Sequence, residues 1–179
     1  MKKIAIFVML LAMPVLTFGQ NIFEKYADNE QVTYVSISPK MFKMLATMGI
    51  DSNDPEAKEF LAMVNSMKSL QVIATENDNI SADLKNWVSK QSSKLDELMQ
   101  VRDGDTRVKF YVKEGKSPTH VKELLMFITG IEDKVQLKDR KINTVVVSLL
   151  GDIDLTQVSK LTNQMNIPGG EHLKSVKKN

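Results

Sequence analysis

From Met99 to Leu150 the chain reads with a period of two, and this half of the sequence decides what kind of fold it can adopt. Met99 to Arg102 and Arg107 to Lys113 flank Asp103-Gly104-Asp105, and an Asp-Gly pair between alternating segments is a strong hairpin signal. In the second segment Val108, Phe110 and Val112 face one way, and Arg107, Lys109, Tyr111 and Lys113 the other. Gly115 to Thr119 is a loop. Val121 to Thr129 is open to two readings, because Pro118 suits a helix start while Phe127-Ile128-Thr129 favours a strand; the strand is the reading taken here. Ile142 to Leu150, dense in β-branched residues, is the clearest strand of the chain.

The first half alternates strand and helix. Val32 to Ser38 has the half-buried alternation of a strand. Ser38-Pro39 then supplies an N-cap and a proline at the first helical position, and Met41, Phe42, Met44, Leu45 and Met48 recur at helical spacing before Gly49. Asp54-Pro55 repeats the start signal, with Phe60, Leu61, Val64 and Met67 as a second apolar stripe. Leu70 to Thr75 reads as the second strand, closed by the turn-rich Asn77-Asp78-Asn79. Ser81 can cap a longer helix reaching Leu98, with Leu84, Trp87, Val88, Leu95 and Leu98 inward and Lys85, Lys90, Lys94 and Asp96 in water. A last helix starts at Asp154, carries Leu155, Val158, Leu161 and Met165, and stops at Asn166 before Pro168-Gly169-Gly170. The expected fold is α+β with two layers: a mostly antiparallel sheet of about five strands, with helices packed on one face.

Met1 to Gly19 reads as an address. Lys2 and Lys3 form a basic start, Ile4 to Leu16 an apolar core, and Thr17-Phe18-Gly19 a small-x-small cleavage site, the layout of a secretory signal peptide. The apolar run is shorter than the roughly 20 residues a membrane span takes. Cleavage would leave Gln20 at the N-terminus, one domain over 20–170 and a basic tail over 171–179. The 24 Lys+Arg against 22 Asp+Glu become equal once Lys2 and Lys3 depart, so the mature chain is neutral and nucleic acid is a poor partner. The chain has no cysteine, which excludes a disulfide scaffold, a zinc-thiolate site, a cysteine nucleophile and a lipid-modified N-terminus. No stable membrane anchor is expected after cleavage, and stability must come from the core.

Few residues read as chemistry. Asp152 and Asp154, in Gly151-Asp152-Ile153-Asp154, could offer oxygens to a hard cation, but such a cation wants about six, and a turn followed by a helix cap explains them better. Asp103-Gly104-Asp105 is what a tight hairpin requires, and Asp51-Ser52-Asn53-Asp54 lacks the glycine and distal glutamate of a calcium loop. His120 and His172 have no second histidine at metal-ligand spacing. Phosphate loops, dinucleotide fingerprints and serine-hydrolase elbows are missing. No cofactor, metal or catalytic residue is therefore expected. The remaining candidates are Met41, Met44, Met48, Met63 and Met67, whose flexible thioethers on two consecutive helices could line a surface for a peptide or apolar ligand.

The run Val145-Val146-Val147-Ser148-Leu149-Leu150-Gly151-Asp152-Ile153-Asp154-Leu155, with Val158-Ser159-Lys160-Leu161 and Asn166-Ile167-Pro168-Gly169, resembles the C-terminal signature of a Bacteroidota envelope family known as domain of unknown function 4252. Phe23 and Val35-Ser36-Ile37-Ser38-Pro39-Lys40-Met41-Phe42 are similar to its N-terminal part. The resemblance implies export, a compact domain and no established activity; several relatives are lipoproteins and some are encoded near extracytoplasmic sigma factors. The leading expectation is a non-enzymatic, extracytoplasmic module that binds an envelope protein, a peptide or an apolar ligand, with a link to envelope stress signalling. Its rivals are a hydrolase or metal-dependent enzyme using Asp152, Asp154 and His120, and a structural or assembly component.

Overall fold

A computed structural model describes residues 21–47, 55–131, 136–137 and 140–156. The expected leader, Met48, the Asp51 to Asp54 segment, His172, most of the last expected helix and the basic tail lie outside them.

The described chain opens with a short helix that the hydrophobic pattern did not announce, α1 (Ile22–Tyr26), whose N-cap Asn21 accepts a hydrogen bond from the Phe23 backbone N–H. Strand β1 (Val32–Ile37) follows, and α2 (Pro39–Thr47) starts at the expected Ser-Pro pair, the Ser38 hydroxyl accepting from the Met41 N–H. Then come α3 (Pro55–Ser66), β2 (Met67–Thr75), α4 (Asp78–Ser92), β3 (Asp96–Asp103), β4 (Thr106–Glu114), β5 (His120–Thr129), the short β6 (Gln136–Leu137) and β7 (Arg140–Lys141), and β8 (Thr144–Asp154). One sheet of six strands runs in the order β1-β2-β8-β5-β4-β3, antiparallel throughout, and β6 and β7 pair as a separate ribbon. The fold is α+β, and more sheet-rich than expected.

Four expectations need correction at element ends. Met67 opens β2 and is not the last residue of a helical stripe. The long helix is capped by Asn77, whose side chain accepts from the Asn79 and Ile80 N–H groups at 2.9 and 3.0 Å. Ser81 is one turn inside, and its hydroxyl donates sideways to Asn143 Oδ1 at 3.0 Å. That helix stops at Ser92, because the chain must turn through Lys94 and Leu95 to enter β3 at Asp96; Leu98 is a strand residue. Lastly, Gly151 to Asp154 continue β8 and do not form a turn, since their backbone pairs with the start of β5 as far as His120 opposite Asp154.

The hairpin between β3 and β4 follows its sequence signal. Asp103 pairs with Thr106, and Gly104 takes the first loop position with φ +59°, a conformation only glycine adopts freely. Gly151 serves a different need. A Cβ there would stand 2.6 Å from the Ser66 carbonyl oxygen, so the missing side chain lets the end of α3 lie against β8.

Apolar side chains leave the sheet in both directions. On one face Ile73, Val146, Leu125, Phe127 and Tyr111 pack with Ile22, Phe23 and Tyr26 of α1 and Ile80, Leu84 and Val88 of α4. Phe23 meets Trp87 edge to face with ring centroids 5.6 Å apart, joining the two helices. On the other face Phe110, Val112, Val121, Leu124, Leu149, Ile153 and Leu155 form a second core. The expected single buried face is therefore half the picture. A smaller cluster of Ala74, Ile131 and Ile142 closes the end near β6 and β7. Burying each large aliphatic side chain contributes roughly 1.5–3 kcal/mol, so the two cores together dominate stability.

Polar contacts place the helices on the sheet. Buried Thr75 donates to the Gln31 carbonyl and accepts from the Asn77 N–H, while Asn143, at the foot of β8, donates to the Glu76 carbonyl. These bonds hold the start of α4 where β1, β2 and β8 converge. Across the helix layer, Lys25 Nζ lies 2.6 Å and the Tyr26 hydroxyl 2.9 Å from Asp83 Oδ2, so α1 is tied to α4. The Lys25 hydrogen bond, helped by Tyr26, holds the Asp83 carboxyl below the usual carboxylate range against the opposing effect of burial. A carboxylate lowered in this way stabilises the fold above its unfolded pKa of about 3.9, and that contribution disappears as pH falls through the lower folded value. The pair is more than a third exposed, which limits it to about 0.2–1 kcal/mol. Asp83→Asn should cost that amount at neutral pH in urea unfolding, and the gap between variant and parent should close as pH is taken below about 4.

Candidate functional site

Of the five methionines, the four among the described residues, Met41, Met44, Met63 and Met67, differ in exposure. Met41 and Met44 are each 45% exposed on α2, whereas Phe42 between them is buried, so the two methionines occupy the outer side of that helix. Together with Val35 on β1 they are the large exposed hydrophobics among the described residues. Met63 is buried on α3, Met67 packs at the margin of the second core from β2, and Met48 is outside the described residues.

His120, Asp152 and Asp154 do come to one end of the sheet, because β5 begins where β8 ends. His120 lies opposite Asp154 in the register, and its Nδ1 is 2.9 Å from the Ser117 hydroxyl and 3.2 Å from that of Thr119. The Gly115 to Thr119 loop makes this possible, its Gly115 N–H donating to the His120 carbonyl and its Ser117 carbonyl accepting from the His120 N–H. Each carboxylate already has a partner. Asp152 Oδ2 accepts from Lys116 Nζ at 2.5 Å, a bond that lowers its pKa, and Asp154 Oδ1 accepts from the Thr156 N–H and hydroxyl at 2.9 and 2.7 Å. Asp154, the last residue of β8, thus makes the bonds expected of a cap residue, and the rest of the expected helix, from residue 157, lies outside the described residues. A histidine-assisted serine needs a base that touches the nucleophile and a third group that orients the base. Ser117 and His120 supply the first contact. Among the described residues, no carboxylate hydrogen bonds to His120. No group of three or more His, Asp or Glu side chains is placed to hold a metal among the described residues either.

A more developed site lies on the helix-bearing face, and the sequence did not disclose it. Helix α4 covers the sheet only as far as Tyr111 and Phe127, so a groove of about 640 Å³ opens between its C-terminal half and strands β3 to β5. Val88, Ser89 and Ser92 form the helical wall with Leu95 just beyond, and Tyr111 and Phe127 lie at the foot of it. Arg107 and Lys109 stand on the sheet, Lys85 on the helix, and Glu97 is the carboxylate of the lining. The volume falls in the range of roughly 300–1,000 Å³ typical of small-ligand sites. None of the three cations has a carboxylate within 4.0 Å among the described residues. Such a groove can hold an apolar group at the wall and a negative charge over β4. Its parts come from four elements, and each part read alone as a solvated face. The available signal was Tyr111, an aromatic residue among the outward-facing cations of its strand.

One family model matches residues 26–161, that of a domain of unknown function (DUF4252), and the chain belongs to this family. Neither a curated protein nor a solved structure matches it. The family description assigns no activity, so the site must be judged on its geometry.

The bonds made by Asp154 give it a structural task with a measurable size. Asp154→Ala should lower unfolding stability by about 0.5–2 kcal/mol and Asp154→Asn by less, because the amide oxygen still accepts from the Thr156 N–H. Denaturant midpoints of the three proteins measure this.

Proposed function

We propose that this DUF4252 chain is an exported, non-enzymatic binding module, and that its ligand occupies the groove between α4 and strands β3 to β5. The observation that carries the reading is the joining, in one concavity, of apolar lining to cations that have no carboxylate within 4.0 Å among the described residues. Export rests on the layout of Met1 to Gly19 and on the resemblance to Bacteroidota envelope proteins. The absence of cysteine rules out the thioether tether of lipoprotein relatives, so the module is released into the extracytoplasmic space. Among the described residues, no helix is long and apolar enough to cross a membrane. The site expected on the methionines gives way here to the groove, since Met63 is committed to the interior. Met41 and Met44 remain as an exposed apolar pair on another part of the surface.

The test has two stages. The full-length chain, expressed in a Gram-negative host, should be recovered from the periplasm with Gln20 as its first residue. Titration of that product, isotopically labelled, with envelope peptide and lipid fractions should then shift the amide resonances of Ser89, Tyr111 and Phe127. Retention of Met1 would overturn export. Shifts confined to Ser117, Thr119 and His120 would overturn the groove and favour the hydrolase reading.

A further inference from the structure

The charge on the floor of the groove is arranged in a way the fold does not require. Arg107 and Lys109 are two apart on β4 and so point to the same face, about 7 Å apart along the strand. Directly across the ladder from Arg107 stands Arg102 on β3. Like charges placed opposite one another destabilise a strand pair, and neither arginine has a carboxylate partner among the described residues to relieve it. A polar residue without charge would suit an uncovered sheet position equally well. Lys85 approaches the same space from α4, and Glu97 is the lone acid of the lining.

Resting on the groove as the binding site, we infer that its occupant is an extended segment of a partner protein with acidic residues at every second position and apolar residues between them. An extended peptide repeats its side chains on one face about every 7 Å, the same repeat as Arg107 and Lys109. Two successive acidic side chains can therefore meet the two cations in register, the first of them also relieving the opposition of Arg102 and Arg107. The intervening side chains then turn toward Leu95, which lines the groove just beyond the end of the helix. A compact anion would neutralise one cation of the row and leave the others opposed, which is why a peptide fits this row better than an isolated phosphate or carboxylate. The interaction is partly electrostatic at an open surface, so it weakens as salt rises.

The probe is a fluorescein-labelled ten-residue peptide of alternating Glu and Val, followed by anisotropy against the secreted protein, with the Lys-Val peptide as its charge-reversed control. The Glu-Val peptide should bind saturably, the control should not, and Arg107→Gln with Lys109→Gln should weaken binding by about tenfold or more. Both substitutions are on the surface, and an unchanged denaturation midpoint will show that the variant is folded. Equal binding by parent and variant, or binding of the Lys-Val peptide, would overturn the inference. So would binding of laurate in place of the Glu-Val peptide, which would assign the groove to small amphipathic anions. If the Glu-Val peptide fails while another envelope ligand shifts Ser89, Tyr111 and Phe127, the acidic-peptide inference is wrong and the groove remains a binding site; if no ligand shifts them, both fall.

Discussion

Burial of the central strands on both faces is the constraint from which the rest of this structure follows. β2, β8 and β5 lie inside the sheet, and along β5 the neighbours Leu124 and Leu125 enter different cores, the former with Leu149 and Phe110, the latter with Val146 and Ile73. A strand covered on both sides needs apolar residues at nearly every position, and this explains the unbroken Val145-Val146-Val147 run that a half-exposed strand would not tolerate. With no cysteine in the chain, these two cores and the antiparallel ladder must bear the stability without help from disulfides. The polar bonds among Thr75, Asn77 and Asn143 add little energy by comparison, but they decide where α4 starts, and so how far it reaches.

The groove is a by-product of that reach. α4 ends at Ser92, before the sheet does, and the step between helix layer and bare sheet becomes a groove. Apolar residues belong on the covered side of the step and charged ones beyond it, so the fold by itself accounts for the amphipathic character of the lining. It does not account for the sign. Arg102, Arg107 and Lys109 share one face of β3 and β4 in a chain whose 24 Lys+Arg and 22 Asp+Glu nearly balance, and that local excess is what the proposed binding role rests on.

Sequence patterns revealed what is local and concealed what is distant. The hairpin at Asp103-Gly104-Asp105 and the Ser38-Pro39 helix start are set by neighbours in the chain and stand as expected; the β-branched strand is present as well, but it runs past Leu150 to Asp154. The helix that runs to Ser92 was overextended because Leu95 and Leu98 continue the apolar period, although one serves the first core and the other the second. Ser81 looked like a cap because its alternative partner, Asn143, is 62 residues away. For the same reason His120 and Asp154 gave no sign of lying side by side, since β5 pairs with β8 across the short ribbon between them. The methionines show the limit of composition: their spacing announced apolar faces without distinguishing the exposed Met41 from the buried Met63.

The most direct measurement of the double-faced sheet uses two adjacent residues. Leu124→Ala and Leu125→Ala should each lower the free energy of urea unfolding by about 2–5 kcal/mol, because each empties a space in a separate core. A sheet with one wet face would respond to only one of them. If either substitution costs less than about 0.5 kcal/mol, as exposed positions do, the two-core account is contradicted.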